Sequence, residues 1–291
     1  VRGVLTPSLD EIRDWLGANP SSACTIPIYR EIMADVETPV SAYLKIKGPG
    51  SGFILAGVEG GARIARYSFI GAEPITEVTM QHGSATLASG DESVSAPYSD
   101  PLTVLEEVIA PYRGEVPPGL PLPRFLGGLV GYLSYETIQA FEPRVGSADG
   151  MGLGLPDSRF MLVDSLLVFD HVERTIKAVS HLRLNEATTL EEAYAQAAAR
   201  VDALVAKLRG PMPTMPLGSD SVETLAVDRS KPNTTPERYR EMIEAAKEYI
   251  RAGDIFQVVL SQRVDLPTPA HPFTIYRALR TVNPSPYMFF L

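Results

Sequence analysis

The chain has 291 residues, and 26 Lys and Arg against 35 Asp and Glu give it a formal net charge of -9 at pH 7. This acidic balance argues against binding to nucleic acid or anionic lipid through the overall field of the protein, and a hydrophobic content of 45% excludes a disordered chain. One cysteine cannot close an internal disulfide, and no apolar run approaches the ~20 residues of a spanning helix, so we expect a cytoplasmic protein without membrane contact.

The first part of the chain alternates helical and strand-like segments. Ser8 and Glu11 form a capping box, and the apolar spacing after them predicts a short helix that ends at Gly17. Pro101 predicts the first turn of another helix, and the proline-rich segment 117–123 predicts a stiff connection. Runs rich in β-branched and aromatic residues predict antiparallel strands at 24–29, 41–46, 52–58, 75–80 and 84–87.

The next segments predict a hairpin, a long helix and a domain boundary. Residues 159–170 and 175–184 predict two paired strands. Thr189 and Glu192 form a second capping box before an apolar stripe that ends at Gly210. The proline-rich stretch after it lacks periodicity. We therefore expect a first domain over 1–210, a linker over 211–234 and the start of a second domain over 235–291.

The second domain opens with a predicted helix that starts at Pro236 and ends at Gly253. Residues 255–264 predict a strand and residues 272–280 a helix, and the last four residues predict the start of a buried strand. Backbone donors and apolar side chains at such an end would lack partners. We therefore expect a fragment of a longer protein.

Few residues of the chain indicate chemistry by themselves. The glycines of segment 125–132 lack the spacing of a phosphate loop and indicate close packing of strands. The four histidines are dispersed, which does not favour a metal site, and Cys24 is expected to be a buried, inert thiol. Gln257 interrupts an apolar run and is either a satisfied core amide or a ligand contact. Pro284 and Pro286 form a rigid turn, which presents the next residues to a pocket or is a plain turn.

Four segments resemble the large, chorismate-binding subunit of anthranilate synthase, in order and in spacing. They are GVEGGARIARYSFIG (57–71), PRFLGGLVGYLSYE (123–136), GDIFQVVLSQR (253–263) and NPSPYMFF (283–290). The resemblance covers nearly the whole chain. It implies an α/β fold of the α+β type, in which two domains form an antiparallel β-sandwich with outer helices and the second domain is incomplete.

The resemblance also implies an activity. The family adds ammonia to chorismate, expels a hydroxyl group and eliminates pyruvate to leave anthranilate for tryptophan biosynthesis, and a glutamine amidotransferase subunit supplies the ammonia. Mg2+ would hold the substrate carboxylate, with its ligands in a C-terminal part that this chain lacks, so the resemblance assigns no metal ligand here. The 291-residue chain alone is therefore expected to be inactive.

Gln257 bears on the choice between related reactions. It stands where the isochorismate-forming enzymes carry a Lys that activates water, and a neutral amide cannot act as that base. This favours amination and makes Gln257 a candidate residue of the active-site lining. The alternatives are the large subunit of aminodeoxychorismate (para-aminobenzoate) synthase, which also has a Gln at this strand, and a tryptophan-binding fragment without catalysis.

The resemblance extends to an effector site. The family builds a tryptophan pocket from an N-terminal strand and the NPSPYM segment, so Pro286, Tyr287 and Met288 are expected to line one wall. The other wall departs from the family, because Ala56 and Gly57 stand where it usually carries Glu and Ser. Losing a carboxylate and a hydroxyl removes charge-assisted hydrogen bonds to an amino acid. Weak or absent inhibition by tryptophan is therefore expected.

Overall fold

A computed structural model describes residues 3–18, 25–57, 65–142, 144–145, 153–185, 188–214 and 231–291. The chain divides into two compact units, of which one is Val1–Thr214 with Arg280–Leu291 and the other is Met215–Leu279. The domain limits predicted from the sequence stay a prediction. Cys24, the VEGG segment at 58–61 and most of the predicted linker lie outside the described residues.

A seven-stranded antiparallel sheet forms the centre of the first unit. In spatial order its strands are β1 (Leu5–Thr6), β2 (Thr25–Met33), β11 (Thr175–Arg183), β10 (Ser165–Asp170), β4 (Tyr67–Ala72), β3 (Gly52–Gly57) and β14 (Tyr287–Phe290). Strand β11 is buried along most of its length, whereas β1 and β14 lie at the two edges. The C-terminal segment therefore completes a sheet that begins near the N-terminus.

A second, five-stranded sheet packs against one face of the first. Its strands, in spatial order, are β7 (Glu92–Pro97), β6 (Ser84–Ser89), β5 (Thr76–Gln81), β9 (Ser158–Val163) and β8 (Gly128–Leu133). Phe53 of the first sheet packs with Val130, Met161 and Val163 of the second. Burying each such side chain contributes about 1.5–3 kcal/mol, so this layer is a main source of stability.

Helices cover the outer faces of the sandwich. The first unit contains α1 (Leu9–Ala18), α2 (Pro39–Lys47), α3 (Pro101–Ile109), the short α4 (Ile138–Phe141) and α5 (Leu190–Arg209). One stripe of α5 is buried, namely Ala193, Ala197, Val201, Val205 and Leu208. Helix α3 packs with Val104 and Val108 against Val78 and Met80 of the five-stranded sheet. The predicted α/β class, with antiparallel sheets and outer helices, is confirmed.

Both capping boxes predicted in this unit are present. The Ser8 N–H donates to Glu11 Oε2 at 2.7 Å, and the Glu11 N–H donates to Ser8 Oγ at 3.3 Å. At α5 the Thr189 N–H donates to Glu192 Oε2 at 3.1 Å, and the Glu192 N–H donates to Thr189 Oγ1 at 3.3 Å. Each box satisfies backbone donors that the first helical turn leaves without an intrahelical partner.

The glycines of segment 125–132 mark close strand packing, as predicted. A Cβ on Gly131 would lie 2.0 Å from the carbonyl oxygen of Arg159 on the neighbouring strand β9. Gly127 has a φ of +136°, which L side chains rarely adopt, and its Cβ would lie 2.7 Å from the Val163 carbonyl oxygen. Glycine is therefore required where β8 enters the sheet.

One predicted strand, at 41–46, is wrong, because these residues belong to helix α2. The Ser41 N–H donates to Thr38 Oγ1 at 3.1 Å, and the Thr38 N–H donates to Ser41 Oγ at 2.9 Å. Pro39 occupies the first helical turn, where its missing N–H costs no hydrogen bond. Ala42, Tyr43 and Ile46 are then buried on one side of the helix, so a local capping box outweighs strand propensity.

The predicted strand 159–170 is in fact two strands in different sheets. Asp164 alone separates β9 from β10, and only β10 forms the predicted hairpin with β11, in the register Asp170 with Thr175. The sequence prediction also missed β4 and β7. Strand β4 lies between β10 and β3, and β7 pairs with β6 at the edge of the five-stranded sheet.

The second unit contains α6 (Pro236–Ala252) and the two-stranded pair β12 (Lys231–Pro232) with β13 (Val264–Asp265), and α7 (Pro272–Val282) begins in it. Thr235 caps α6 by accepting from the Arg238 N–H at 3.2 Å, and Gly253 ends it in the left-handed conformation. These helices are confirmed. The predicted strand 255–264 is wrong, because only its last residue lies in a strand.

Candidate functional site

The sequence-predicted effector segment pairs with the strand that carries the sequence departure. In the ladder between β14 and β3, Tyr287 lies opposite Gly57 and Met288 lies opposite Ala56. Strand β14 also contacts α2, because the ring of Phe290 lies edge-on to Tyr43 with centroids 6.1 Å apart. Both predicted walls therefore meet at one edge of the seven-stranded sheet.

Side chains of β14 alternate in exposure, as expected for an edge strand. Tyr287 and Phe289 are 66% and 68% exposed, whereas Met288 is partly buried on the other face. Pro286 precedes the strand and is exposed. The C-terminal strand is thus confirmed, and Tyr287 and Phe289 are exposed because the outermost strand of a sheet has a neighbour on one side only.

Ala56 and Gly57 differ in how much room their surroundings leave for a larger side chain. Ala56 is 2% exposed and lies opposite Met288, so a longer side chain at position 56 would also be buried. A Cβ on Gly57 would lie 2.7 Å from the Ala65 carbonyl oxygen and 2.8 Å from that of Tyr67. The backbone therefore excludes a side chain at position 57 unless it shifts.

Ser68 and His171 supply polar groups beside this wall. The Gly57 N–H donates to Ser68 Oγ at 3.1 Å, and Ser68 Oγ lies 2.7 Å from His171 Nε2. Partial burial lowers the pKa of His171, with Asp170 opposing and Arg280 adding to that change. The Ser68 hydroxyl accepts from the Gly57 N–H and shares a hydrogen bond with His171 Nε2, in which the imidazole tautomer sets the donor.

An ion pair fixes the turn that carries His171. Arg66 Nη2 lies 2.7 Å from Asp170 Oδ2, and the N–H groups of Val172 and Glu173 donate to Asp170 Oδ1 at 3.0 and 3.1 Å. Burial alone would raise the pKa of Asp170, but the hydrogen bonds from Arg66, Glu173 and Val172 outweigh it and lower that pKa. The turn is therefore held by a buried, ionised carboxylate.

Sequence reasoning did not identify Ser68, His171 or Asp170 as parts of this site. The available signal was the pair Asp170 and His171, because a charged residue ends the buried strand β10 and a polar residue follows it. Polar groups at strand ends are common in ligand sites. Ser68 is a lone hydroxyl inside a strand that was itself missed, and it gave no signal of its own.

Gln257 lies in the second unit, in an irregular segment between α6 and β13, and it is exposed. The expectation that its amide is buried in a strand is wrong. A residue in a strand needs a paired neighbour, and within the described residues the nearby ladder joins only β12 with β13. Its assignment to the active-site lining stays a prediction.

Among the described residues, no three or more His, Cys, Asp or Glu side chains group so that they could hold a metal ion. Within that same part of the chain, none of the helices has both the length and the hydropathy to cross a bilayer.

Comparison with known proteins gives consistent matches. The sequence model of the family described as "chorismate binding enzyme" matches residues 54–291. The chain is 38% identical to "Probable anthranilate synthase component 1" of Schizosaccharomyces pombe over 98% of this chain and 54% of that relative. It is 39% identical to "Anthranilate synthase component 1" of Synechocystis sp. over 90% of this chain and 53% of the relative.

A solved structure agrees with these sequence matches. Anthranilate synthase component I from Streptococcus pneumoniae TIGR4 superposes with a TM-score of 0.57 at 30% identity, covering 87% of this chain and 53% of the other. The chain thus spans about half the length of the relatives that it matches.

Proposed function

The chain belongs to the family of chorismate binding enzymes, and on that premise we propose that this protein is an anthranilate synthase large subunit, which converts chorismate and ammonia to anthranilate and pyruvate. One observation carries the proposal. Relatives from a fungus and a cyanobacterium that share 38–39% of residues with nearly the whole chain bear the name of anthranilate synthase component 1. The aminodeoxychorismate synthase alternative has no such support.

Gln257 is the residue of this chain that we assign to the active-site lining. Its amide is neutral at every pH that proteins tolerate, so it can hydrogen-bond to a substrate but cannot take a proton from water. That chemistry suits the addition of ammonia, which is itself the nucleophile. It does not suit hydroxylation, in which a base must activate water.

Magnesium is part of the proposal, as the ion that holds the substrate carboxylate and stabilises developing negative charge. The described residues do not offer a ligand set for it. We therefore assign no residue of the described chain to the metal and derive no reaction step through it.

The remaining elements of the proposal concern partners, regulation and location. A glutamine amidotransferase subunit would deliver ammonia, and the protein would act in the cytoplasm in tryptophan biosynthesis. The β3–β14 edge would be its effector site, with Pro286, Tyr287 and Met288 on one wall. Since the opposite wall carries Ala56 and Gly57, tryptophan inhibition would be weak.

The test is a product assay on the complete gene product with chorismate, Mg2+ and ammonium. Anthranilate, detected by its fluorescence and by mass, is the expected product. Release of 4-amino-4-deoxychorismate would overturn the proposal in favour of the para-aminobenzoate route. Binding of tryptophan without turnover of chorismate would instead indicate a binding protein. The 291-residue chain, assayed in parallel, is expected to give no product.

A further inference from the structure

A cavity of about 190 Å³ lies within the first unit, apart from the β3–β14 edge. Its walls come from the start of β2, the turn after α3, the entrance to β8, the end of β9 and one residue of β11. None of the residues of the proposed effector site lines it. At ~30 Å³ per water, it holds roughly six water molecules, which is the size of a small metabolite.

His181 presents a hydrogen-bond acceptor in this cavity. Its Nδ1 lies 2.9 Å from the Asp164 carbonyl oxygen, which can only accept, so Nδ1 carries the proton and Nε2 keeps a lone pair. Burial lowers the pKa of His181; the carbonyl and carboxylate of Asp164 oppose that effect, and Arg200 and Arg183 add to it. Both the hydrogen bond at Nδ1 and the lowered pKa favour the ring form in which Nε2 is the acceptor nitrogen.

The glycine pair at the entrance to β8 lies beside the imidazole of His181. His181 Cε1 lies 3.6 Å from the position that a Cβ on Gly127 would occupy. Gly127 and Gly128 both have positive φ, +136° and +115°, so neither position tolerates another residue without strain. The backbone that bounds the cavity on this side is therefore specific to glycine.

The charge on Asp164 is already paired and is not available to a ligand. Its carboxylate forms an ion pair with Arg183, accepts from Ser165 Oγ at 2.9 Å and lies 3.9 Å from Arg200 Nε. The Arg183 guanidinium in turn lies over the ring of Tyr112, 4.8 Å from its centroid. This cluster holds the inner wall of the cavity in place and leaves ligand recognition to other groups.

Arg124 and Glu115 bring opposite charges to the same cavity. Both are exposed, which places them on its open side, and within the described part of the chain neither forms an ion pair. Glu115 is fixed by its N–H, which donates to the Thr25 carbonyl oxygen at 3.0 Å. Leu126, two residues after Arg124, is buried in the core. A cation and an anion are thus presented from anchored backbone.

We propose that this cavity binds a small α-amino acid. The guanidinium of Arg124 would take the carboxylate, while Glu115 and the Nε2 of His181 would accept from the ammonium group. A simple anion leaves both acceptors unused, and a simple amine leaves the guanidinium unused. The volume suits a short side chain such as that of glycine, alanine or serine.

Binding is tested by isothermal titration of the chain with glycine, alanine and serine, with acetate and methylammonium as the two halves of the ligand. Saturable binding of at least one of the three amino acids is expected, about tenfold or more tighter than either half. Arg124→Met and Glu115→Gln should each weaken that binding about tenfold or more.

Arg144→Met and Glu142→Gln are matched controls, since these two residues form an exposed Arg–Glu contact of 4.0 Å away from the cavity lining. They should leave affinity unchanged, and thermal unfolding checks that all four variants fold. The proposal is overturned if no amino acid binds saturably, if acetate binds as tightly as glycine, or if the two cavity variants behave like the controls. Failure here would leave the product assay for anthranilate unaffected, because the two sites share no residue.

Discussion

Replacing Ala56 by Glu should give the complete enzyme tighter inhibition by tryptophan. The new carboxylate would replace the side chain of Ala56, which is 2% exposed and lies opposite Met288. A charge-assisted hydrogen bond to the ammonium group of a ligand contributes about 1.5–3 kcal/mol. Since about 1.4 kcal/mol is a factor of ten, the half-inhibitory tryptophan concentration should fall by roughly one to two orders of magnitude.

The same change has a cost in the free protein. Without ligand the new carboxylate is buried beside Ser68, whose hydroxyl is already shared between Gly57 and His171. A buried charge without a partner destabilises by roughly 3 kcal/mol or more, which at ~2–4 °C per kcal/mol predicts a lower melting temperature that tryptophan partly restores. Gly57→Ser should only destabilise, because its Cβ meets two carbonyl oxygens within 2.8 Å.

Anthranilate formation is measured against tryptophan concentration for the unmodified enzyme, Ala56→Glu and Gly57→Ser, with melting curves at each end of the titration. Half-inhibition of the unmodified enzyme at low micromolar tryptophan would show that the site does not need the missing pair. A folded Ala56→Glu enzyme with unchanged inhibition would show that position 56 does not face the ligand.

Three further changes test the fold. Gly131→Ala should cost about 3 kcal/mol, because its Cβ would lie 2.0 Å from a carbonyl oxygen of β9, whereas Gly50→Ala meets nothing within 4 Å; equal urea midpoints would refute this. Asp170→Asn should cost about 1–3 kcal/mol, since it weakens the hold on Arg66. The folded pKa of Asp170 is lowered, so this difference should be full above the unfolded value of ~3.9 and shrink as pH falls through the folded pKa; a difference that persists at pH 2 would contradict it. Thr38→Ala should lower the free energy of unfolding by about 1 kcal/mol through loss of the α2 cap, and an unchanged melting curve would argue against that.

Helix starts were largely predictable because a cap is a local interaction. The pairs Ser8 with Glu11 and Thr189 with Glu192 are three residues apart, and the structure contains both boxes. Helix α2 has the same kind of signal in Thr38, Pro39 and Ser41, but the apolar residues after it also suited a strand. There the capping box was the more reliable indicator, because it satisfies specific backbone donors.

The candidate site was only partly predictable, because its parts are far apart in the chain. The resemblance named Met288 and Ala56, but only the sheet register places them opposite each other. No local pattern links Ser68 to His171, which are joined by a 2.7 Å contact across β4 and the turn after β10. Contacts of this kind depend on which strands become neighbours, and that choice is made by the whole core.

Two apolar segments, one at 255–264 and one at 287–290, show why strand prediction depends on partners. Both are rich in apolar residues, yet only the second forms a full strand, because β3 offers it an edge with free hydrogen-bonding groups. Within the described residues, the first segment pairs only at its end, through β13 with β12, and its Phe256 is 93% exposed. Apolar composition therefore predicts that a segment can be a strand, and a neighbouring edge decides whether it becomes one.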